Sequence, residues 1–416
     1  MRLLRLPAYF EPEQAASSFL WQNLSEDIAK AGVDTVVYTP TPTRGVTKEV
    51  RKYYKSHRNE TKHDGRMVVH RFSLYGEGKN PILRATRYVL QSIIQFNKAV
   101  FAKDARSCNV MFIASTPPIQ GALAAMVKKC RRDHIPFVYN LQDIFPDSLV
   151  GTGMTHKGSL LWKIGRCIES YTYKNADKII VISQDFKSNI MAKGVPEDKI
   201  EVVYNWVDEN AIVPVKDEDN ELFEEFGISR NKFRVVYAGN LGNAQNIGII
   251  VEAAKRLKGI STIEFLIFGT GGLEDEIKAT KEREQLDNLK VLPLQPYERV
   301  AKVYGLGNVC IVACKAGLGG AAMPSKTWSI MSAGRAVLAN FDEGELKDIL
   351  ENNHCGVFTK ADDLDGFVGA IEELSQHPEQ CAEMGRNGRQ FILENLTREV
   401  GTRRYVEVIK SVVPNS

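Results

Sequence analysis

A polar turn, Pro324-Ser325-Lys326, opens a helix-like segment that stops at Ala333-Gly334, and an apolar strand at 336–339 follows. A helix N-terminus offers unpaired backbone N–H groups and the positive end of a dipole, so it favours anions. A lysine at that point adds a mobile positive charge suited to phosphate oxygens. Taken alone, the same residues also describe an ordinary surface turn. Three glycine-rich turns strengthen the anion reading. Gly239-Asn240-Leu241-Gly242-Asn243-Ala244-Gln245-Asn246 follows the apolar run 235–238, Gly269-Thr270-Gly271-Gly272 follows 265–268, and Ala316-Gly317-Leu318-Gly319-Gly320 follows 309–313. Glycine permits positive φ and close approach of backbone to a ligand. Three such turns after three strands predict one rim of exposed N–H groups, suited to a diphosphate. None fits GxGxxG or the Walker A pattern, so neither NAD binding nor ATP hydrolysis is supported.

The elements that must position this rim alternate along the chain. Strands are expected at 35–39, 68–72, 110–114, 137–141, 178–182, 200–203, 234–238, 264–268, 289–292, 309–312 and 336–339, with a further one beginning at the N-terminus. Helical patterns fill 17–31, 119–134, 160–174, 246–258, 273–284 and 298–306. Near-continuous apolar strands alternating with helices predict parallel sheets covered on both faces. Eleven strands overfill one sheet, and the acidic, Pro-containing stretch near 205–225 marks a break. The expectation is an α/β chain of two doubly wound domains, 1–205 and 206–394, with ligands at the carboxyl ends of the strands in the cleft between them.

Composition sets the class. The chain has 416 residues, 44% hydrophobic and 25% charged, as in soluble globular proteins. No apolar run is long enough to span a bilayer, and the N-terminus lacks a signal-peptide core. Seven scattered cysteines, with no CxxC pair and no Cys/His cluster at metal spacing, fit free thiols in a reducing cytoplasm. The formal net charge of +3 divides into +11 over residues 1–205 and −8 over 206–416. That asymmetry predicts an anionic partner for the first half. Nucleic acid would fit the charge, but no recognition motif accompanies it.

The chain resembles glycosyltransferase family 4. The resemblance rests on Tyr237-Ala238-Gly239-Asn240-Leu241-Gly242 with Gln245, the Phe268-Gly269-Thr270-Gly271-Gly272 turn, and Pro324-Ser325-Lys326 with Ala333-Gly334-Arg335. In the first half, Ser115-Thr116-Pro117-Pro118, Leu141-Gln142-Asp143-Ile144-Phe145-Pro146-Asp147, Ala176 to Ser183 and Asn205-Trp206-Val207-Asp208 resemble landmarks of its bacterial capsule, O-antigen and exopolysaccharide branch, including the N-acetyl-fucosamine transferase type. The resemblance implies a GT-B fold, two Rossmann-like domains facing across a cleft. It implies a nucleotide-diphosphate sugar, a UDP-sugar in first place, as co-substrate, held by the C-terminal domain. It further implies transfer with retention, without a cofactor or an obligatory metal. The C-terminal helix, about 395–416, crosses back to the N-terminal domain.

Residue by residue, the implied donor site is Gly239, Asn240, Gly242, Asn243, Gln245, Gly269, Gly271, Gly272, Pro324, Ser325, Lys326 and Ser329. Lys326 and Asp143 are the implied catalytic pair. Lys326 stabilises the leaving diphosphate, and Asp143 orients a sugar or acceptor hydroxyl or supports positive charge at the anomeric carbon. Asp143 could instead cap a turn before Pro146. Two departures stand out: the family's pair of glutamates is replaced by Ala321 and Ser329, and its usual Arg and Lys of the first glycine turn by Asn240 and by Gln245 or Asn246. The family's glycine pair in the first strand–helix loop is Ala15-Ala16 here.

For the acceptor, the expected residues are Glu13 and Ser17 of the first strand–helix loop, with Arg51 and Tyr54 of the basic, aromatic stretch 51–58. Apolar Leu83, Val89, Leu90, Ile93, Ile94 and Phe101 with Arg84, Arg87 and Lys98 predict either a membrane-facing amphipathic helix or a core-packed one. A lipid-diphosphate-linked saccharide acceptor, an anionic membrane surface and a place at the cytoplasmic face of the cell membrane follow as expectations. Two competing readings are a GT-B sugar-nucleotide epimerase and a non-catalytic GT-B scaffold. The first is disfavoured by the seven histidines, none of them in the motifs above; the second is motivated by Ala321 and Ser329.

Overall fold

The computed structural model describes residues 1–13, 18–76, 80–151, 153–319 and 322–413. Ala15, Ala16, Ser17 and Ala321 lie outside the described residues. The chain forms two compact units, Met1–Tyr204 with Glu399–Ser416, and Asn205–Arg398.

The first unit carries β1 (Arg2–Arg5), β2 (Asp34–Pro40), β3 (Asn59–Lys62), β4 (Met67–Phe72), β5 (Val110–Ala114), β6 (Phe137–Leu141), β7 (Lys178–Val181) and β8 (Ile200–Val202). They form one sheet in the order β3-β4-β2-β1-β5-β6-β7-β8. All pairings are parallel except β3 with β4. The second unit carries β9 (Phe233–Asn240), β10 (Ile263–Thr270), β11 (Leu289–Leu292), β12 (Val309–Ala313), β13 (Ala336–Phe341) and β14 (Gly356–Lys360). Their order is β11-β10-β9-β12-β13-β14, parallel throughout. The strand order therefore reverses between β1 and β5 in one sheet and between β9 and β12 in the other. Those switch points open crevices at the carboxyl ends, where α/β sheets place ligands.

Two strands escaped the sequence reading, β3 and β14. Both are edge strands. β3 is the polar Asn59-Glu60-Thr61-Lys62 and is held by its antiparallel register with β4, Thr61 opposite Val68. Edge strands need no continuous apolar run, so their sequences carry little signal.

Of the two expectations for the helix Pro81–Phe101, the core-packed one does not hold. Leu83, Val89, Leu90, Ile93 and Phe101 are exposed, while Arg87, Gln91 and Gln95 are fully buried. The inward face is polar because loop carbonyls lie beneath it. Gln95 Nε2 donates to the carbonyls of Pro7 (3.0 Å) and Tyr38 (2.9 Å), and Gln95 Oε1 accepts from Gln120 Nε2 (2.8 Å). Buried carbonyls without a donor are costly, which outweighs the transfer of the leucines.

At the other end of the chain, the helix Arg398–Ser411 clusters with the first unit through Tyr405. That side chain is fully buried, donates to Asn140 Oδ1 (3.1 Å), accepts from Gln142 Nε2 (3.2 Å) and meets the Phe112 ring edge-on at 5.9 Å.

The two glycine turns after β9 and β10 are packed on each other. Gly239 pairs with Gly269 and Asn240 with Thr270. Leu241 N–H donates to the Thr270 carbonyl and Leu273 N–H to the Leu241 carbonyl, both at 2.9 Å. A Cβ on Gly269 would sit 2.3 Å from the Gly239 carbonyl oxygen, and one on Gly271 2.5 Å from that of Leu241. Gly272 faces open space. Backbone packing alone thus requires Gly269 and Gly271. Gly271→Ala is expected to destabilise the second unit by about 1–3 kcal/mol through overpacking, and Gly272→Ala to leave the thermal midpoint unchanged; equal midpoints would overturn this account of the rim. Tyr405→Ala is expected to lower unfolding free energy by about 3–5 kcal/mol in urea, as for other large buried aromatics.

Candidate functional site

Lys326 is the first residue of the helix Lys326–Ser332, seven residues long. Buried Trp328, Ile330 and Met331 anchor that helix and so fix the lysine's root at the carboxyl side of the β9/β12 switch. The Lys326 Nζ donates to the Tyr237 hydroxyl at 3.0 Å and lies 4.1 Å from the centre of the same ring. Tyr237 in turn donates to the Asn240 carbonyl at 2.8 Å. Nζ also sits directly over Gly239, where an added Cβ would come within 3.0 Å of it. Gly239 has φ of +145°. Its lack of a side chain therefore serves both the turn and the lysine.

No carboxylate pairs with Lys326 among the described residues. Burial lowers its pKa from the ordinary 10.5 to about 8. A partly desolvated ammonium without a counter-ion is an unfinished ion pair, and its natural completion is an anion. The short helix contributes little dipole of its own, and the Ser325 side chain makes no capping hydrogen bond. The positive charge of the site thus comes from the lysine more than from the helix end that the sequence pattern suggested. Pro324 shapes the turn by accepting the Thr327 N–H. Ser325 is exposed, and the half-buried Ser329 hydroxyl has no hydrogen-bond partner among the described residues.

The first glycine turn is braced beside this ammonium. Asn243–Gln245 makes a single 3₁₀ turn, ended by Asn246 with φ of +46°. Asn246 Nδ2 donates to Asp362 Oδ1 at 2.8 Å, and the Ala244 carbonyl accepts from Lys315 N–H. Asn240 Nδ2 donates to Gln245 Oε1 at 3.2 Å, so these two side chains of the turn are bonded to each other. Within the second unit, then, Gly239, Asn240, Gly242, Asn243, Gln245, Gly269, Gly271 and Lys326 share one rim.

In the first unit Asp143 follows β6. Its side chain reaches solvent, yet crowding by the protein raises its carboxyl pKa, opposed by the hydrogen bond from Ser148 Oγ at 3.2 Å. The neighbouring Gln142 lines a cavity of about 190 Å³ at the carboxyl ends of β1 and β5. Glu13 also borders it, but not as an available acid. It is 4% exposed, and its carboxylate accepts the N–H groups of Thr43 (2.7 Å), Arg44 (2.9 Å) and Phe10 (3.3 Å). Its role is to tie two loops together. Arg51 and Tyr54 stand on the helix Lys48–Ser56, which buries none of its residues, and neither lines the cavity. Arg51 Nη2 donates to the Thr43 carbonyl, and the Tyr54 ring lies 4.4 Å from the Arg71 guanidinium. Each thus has a contact within the protein away from the cavity. Arg5, Tyr9, Trp21 and Phe112, which do line the cavity, were not anticipated. A cation set within the apolar run Leu3-Leu4-Arg5-Leu6 was the available signal.

Residues 20–206 match the family described as glycosyl transferase 4-like domain, and residues 218–391 match glycosyl transferases group 1. The chain is 24% identical over 283 residues to WbjE of Pseudomonas aeruginosa, named as a glycosyltransferase, covering 67% of this chain and 69% of that one. It is 25% identical over 278 residues to WcaI of Escherichia coli K12, whose name assigns it to colanic acid biosynthesis, covering 66% and 67%. Among solved structures, sucrose-phosphate synthase from Thermosynechococcus elongatus superposes with a TM-score of 0.76 at 14% identity, over 99% of this chain and 98% of that one. HepE from Anabaena, solved with UDP-glucose, gives 0.71 at 14% identity over 99% and 100%. Matched in this order by two glycosyltransferase domains over most of its length, and superposing end to end on such structures, the chain belongs to the two-domain glycosyltransferases of the GT-B fold.

Proposed function

We propose that this glycosyltransferase moves a sugar from a UDP-sugar to a lipid-linked saccharide during surface-polysaccharide synthesis, with retention at the anomeric carbon and no obligatory metal. Residues 206–394 hold the donor; residues 1–205, with 395–416, hold the acceptor. The observation that carries this reading is Lys326, an ammonium without a carboxylate partner, steadied by Tyr237 at the β9/β12 switch. HepE solved with UDP and with UDP-glucose supports the donor class, and the name of WcaI supports the product class. The likeness to N-acetyl-fucosamine transferases makes the UDP-activated form of that sugar the first donor to test.

In this mechanism the diphosphate leaves from the same face that the acceptor hydroxyl approaches. Charge accumulates on the departing phosphate oxygens while the sugar becomes oxocarbenium-like. Lys326 stabilises the former without reorganising, because Tyr237 and Gly239 already hold it in place. Asp143 orients the acceptor or sugar hydroxyl, and as an acid near developing positive charge it favours the transition state. The exposed apolar face of Pro81–Phe101, with Arg84 and Lys98 exposed beside it and a net charge of +11 over residues 1–205, supports docking on an anionic lipid surface. Among the described residues no helix is long and apolar enough to cross a membrane.

The pH dependence has a definite sign. The unfolded chain keeps the lysine proton up to about 10.5, whereas the unliganded fold releases it near 8. The unliganded fold therefore gains stability as pH rises from about 8 towards 10.5. UDP binding reverses the preference, since an anion favours the charged lysine. Calorimetry should show UDP affinity steady from pH 6 to 8 and falling above about 8, and Lys326→Met should bind UDP weakly with no such fall. The same variant is expected to lose about 10²–10³ in kcat/KM; full activity would remove Lys326 from the donor site. Absence of binding by any nucleotide diphosphate to the wild-type chain would favour the scaffold reading. Asp143→Asn is expected to slow turnover by about a hundredfold with UDP binding retained, and loss of both together would make Asp143 a positioning or structural residue. Flotation with phosphatidylglycerol vesicles tests the membrane face: Leu90→Glu with Ile93→Glu should cut binding several-fold at unchanged thermal midpoint, and unchanged binding would discard it.

A further inference from the structure

The cavity of the first unit holds a second cation that forms no ion pair among the described residues. Arg5 ends β1 at the switch with β5 and is 5% exposed. Its Nη1 donates to Ser25 Oγ at 2.6 Å, and Ser25 Oγ donates onward to the Trp21 carbonyl. Its guanidinium carbon lies 6.0 Å from the centre of the Phe10 ring and 5.9 Å from that of Phe112. No carboxylate bonds to it among the described residues. Of the two acids bordering the cavity, Glu13 is occupied by three backbone N–H groups, and Glu11 pairs with Lys62 at 3.0 Å. Arg44, also in the wall, lies over the Tyr9 ring at 5.3 Å and likewise forms no ion pair among the described residues. Two guanidinium groups thus border an aromatic-walled space without an ion pair to either among the described residues, and Glu11 acts on Arg5 only through space.

A guanidinium is costly to desolvate, and its planar fork matches a carboxylate or phosphate in two parallel hydrogen bonds. Aromatic faces suit the C–H faces of a sugar ring as neighbours. A cavity of about 190 Å³ is small enough to be filled by a single such group and its ring. We infer that this cavity is the acceptor subsite, that it takes a saccharide bearing an anionic group, a carboxylate or a phosphate ester, and that Arg5 is the residue that selects it. The inference rests on the acceptor role proposed for the first unit.

The test uses the full chain and three probes: methyl glucuronide, methyl glucoside 6-phosphate and methyl glucoside, titrated by calorimetry, with UDP titrated on the same preparation. At least one anionic probe should bind about tenfold or more tighter than the neutral glycoside, as a charge-assisted pair gives. The tighter of the two identifies carboxylate or phosphate as the source. Arg5→Gln should abolish the preference while leaving UDP binding intact. Because Arg5 is buried, Arg44→Gln serves as a second variant with an exposed side chain and should lower the preference by a smaller factor. Equal binding of all three probes by the wild-type chain would overturn the inference, as would a preference that survives in folded Arg5→Gln. UDP binding without anion preference would sink this inference alone, whereas anion preference without UDP binding would sink the donor reading alone.

Discussion

A parallel sheet covered by helices on both faces has no room for polar chemistry along its strands. The six residues of β13 are all buried, as are the five of β12 and of β6. The strands are laddered to their neighbours, and the side chains are committed to the core. What remains for chemistry is the carboxyl end, where strands stop side by side and the chain must turn. In the second unit that end is stitched tightly, with Gly269 and Gly271 admitting backbone against backbone. The rim is consequently rigid before any ligand arrives, which is what charge stabilisation by fixed groups requires.

Both switch points use the same device. Each places one cation at the end of the central strand or against it, holds it with one hydroxyl, and gives it no ion pair among the described residues. In the second unit the pair is Lys326 with Tyr237; in the first it is Arg5 with Ser25. Both cations stand near aromatic rings, and burial lowers the pKa of both, to about 8 for the lysine and about 10 for the arginine. A buried carboxylate in either place would stabilise the fold more and leave nothing for an anion to do. Several other buried cations are paired with acids, Arg71 with Glu60, Arg234 with Asp217 and Lys193 with Glu169, while the buried Arg87 is held by the Tyr75 carbonyl and the Thr43 hydroxyl.

Much of the second unit was legible in the sequence. Its strands are continuous apolar runs, its turns are glycine-rich, and Lys326 follows a proline that ends irregular chain. Local patterns of that kind depend on neighbours in sequence, so they can be read there. The first unit resisted. Glu13 reads as a loop acid, but three backbone N–H groups from two loops consume it. The helix Pro81–Phe101 reads as core-packed or membrane-facing with equal ease, since periodicity defines a stripe without saying which side faces water. Gln95 decides it by reaching the Pro7 and Tyr38 carbonyls, 88 and 57 residues away.

By itself, the sequence determined the class of fold, the break between two α/β halves, the glycine rim and the lysine that faces it. All of these follow from hydrophobic period, turn chemistry and charge type within short windows. The tertiary structure alone decided which charges are cancelled. No carboxylate pairs with Lys326 or Arg5 among the described residues, whereas Glu13, Arg51 and Tyr54 are engaged by other parts of the first unit. Ion pairing and burial are properties of distance in space, and residues far apart in the chain settle them.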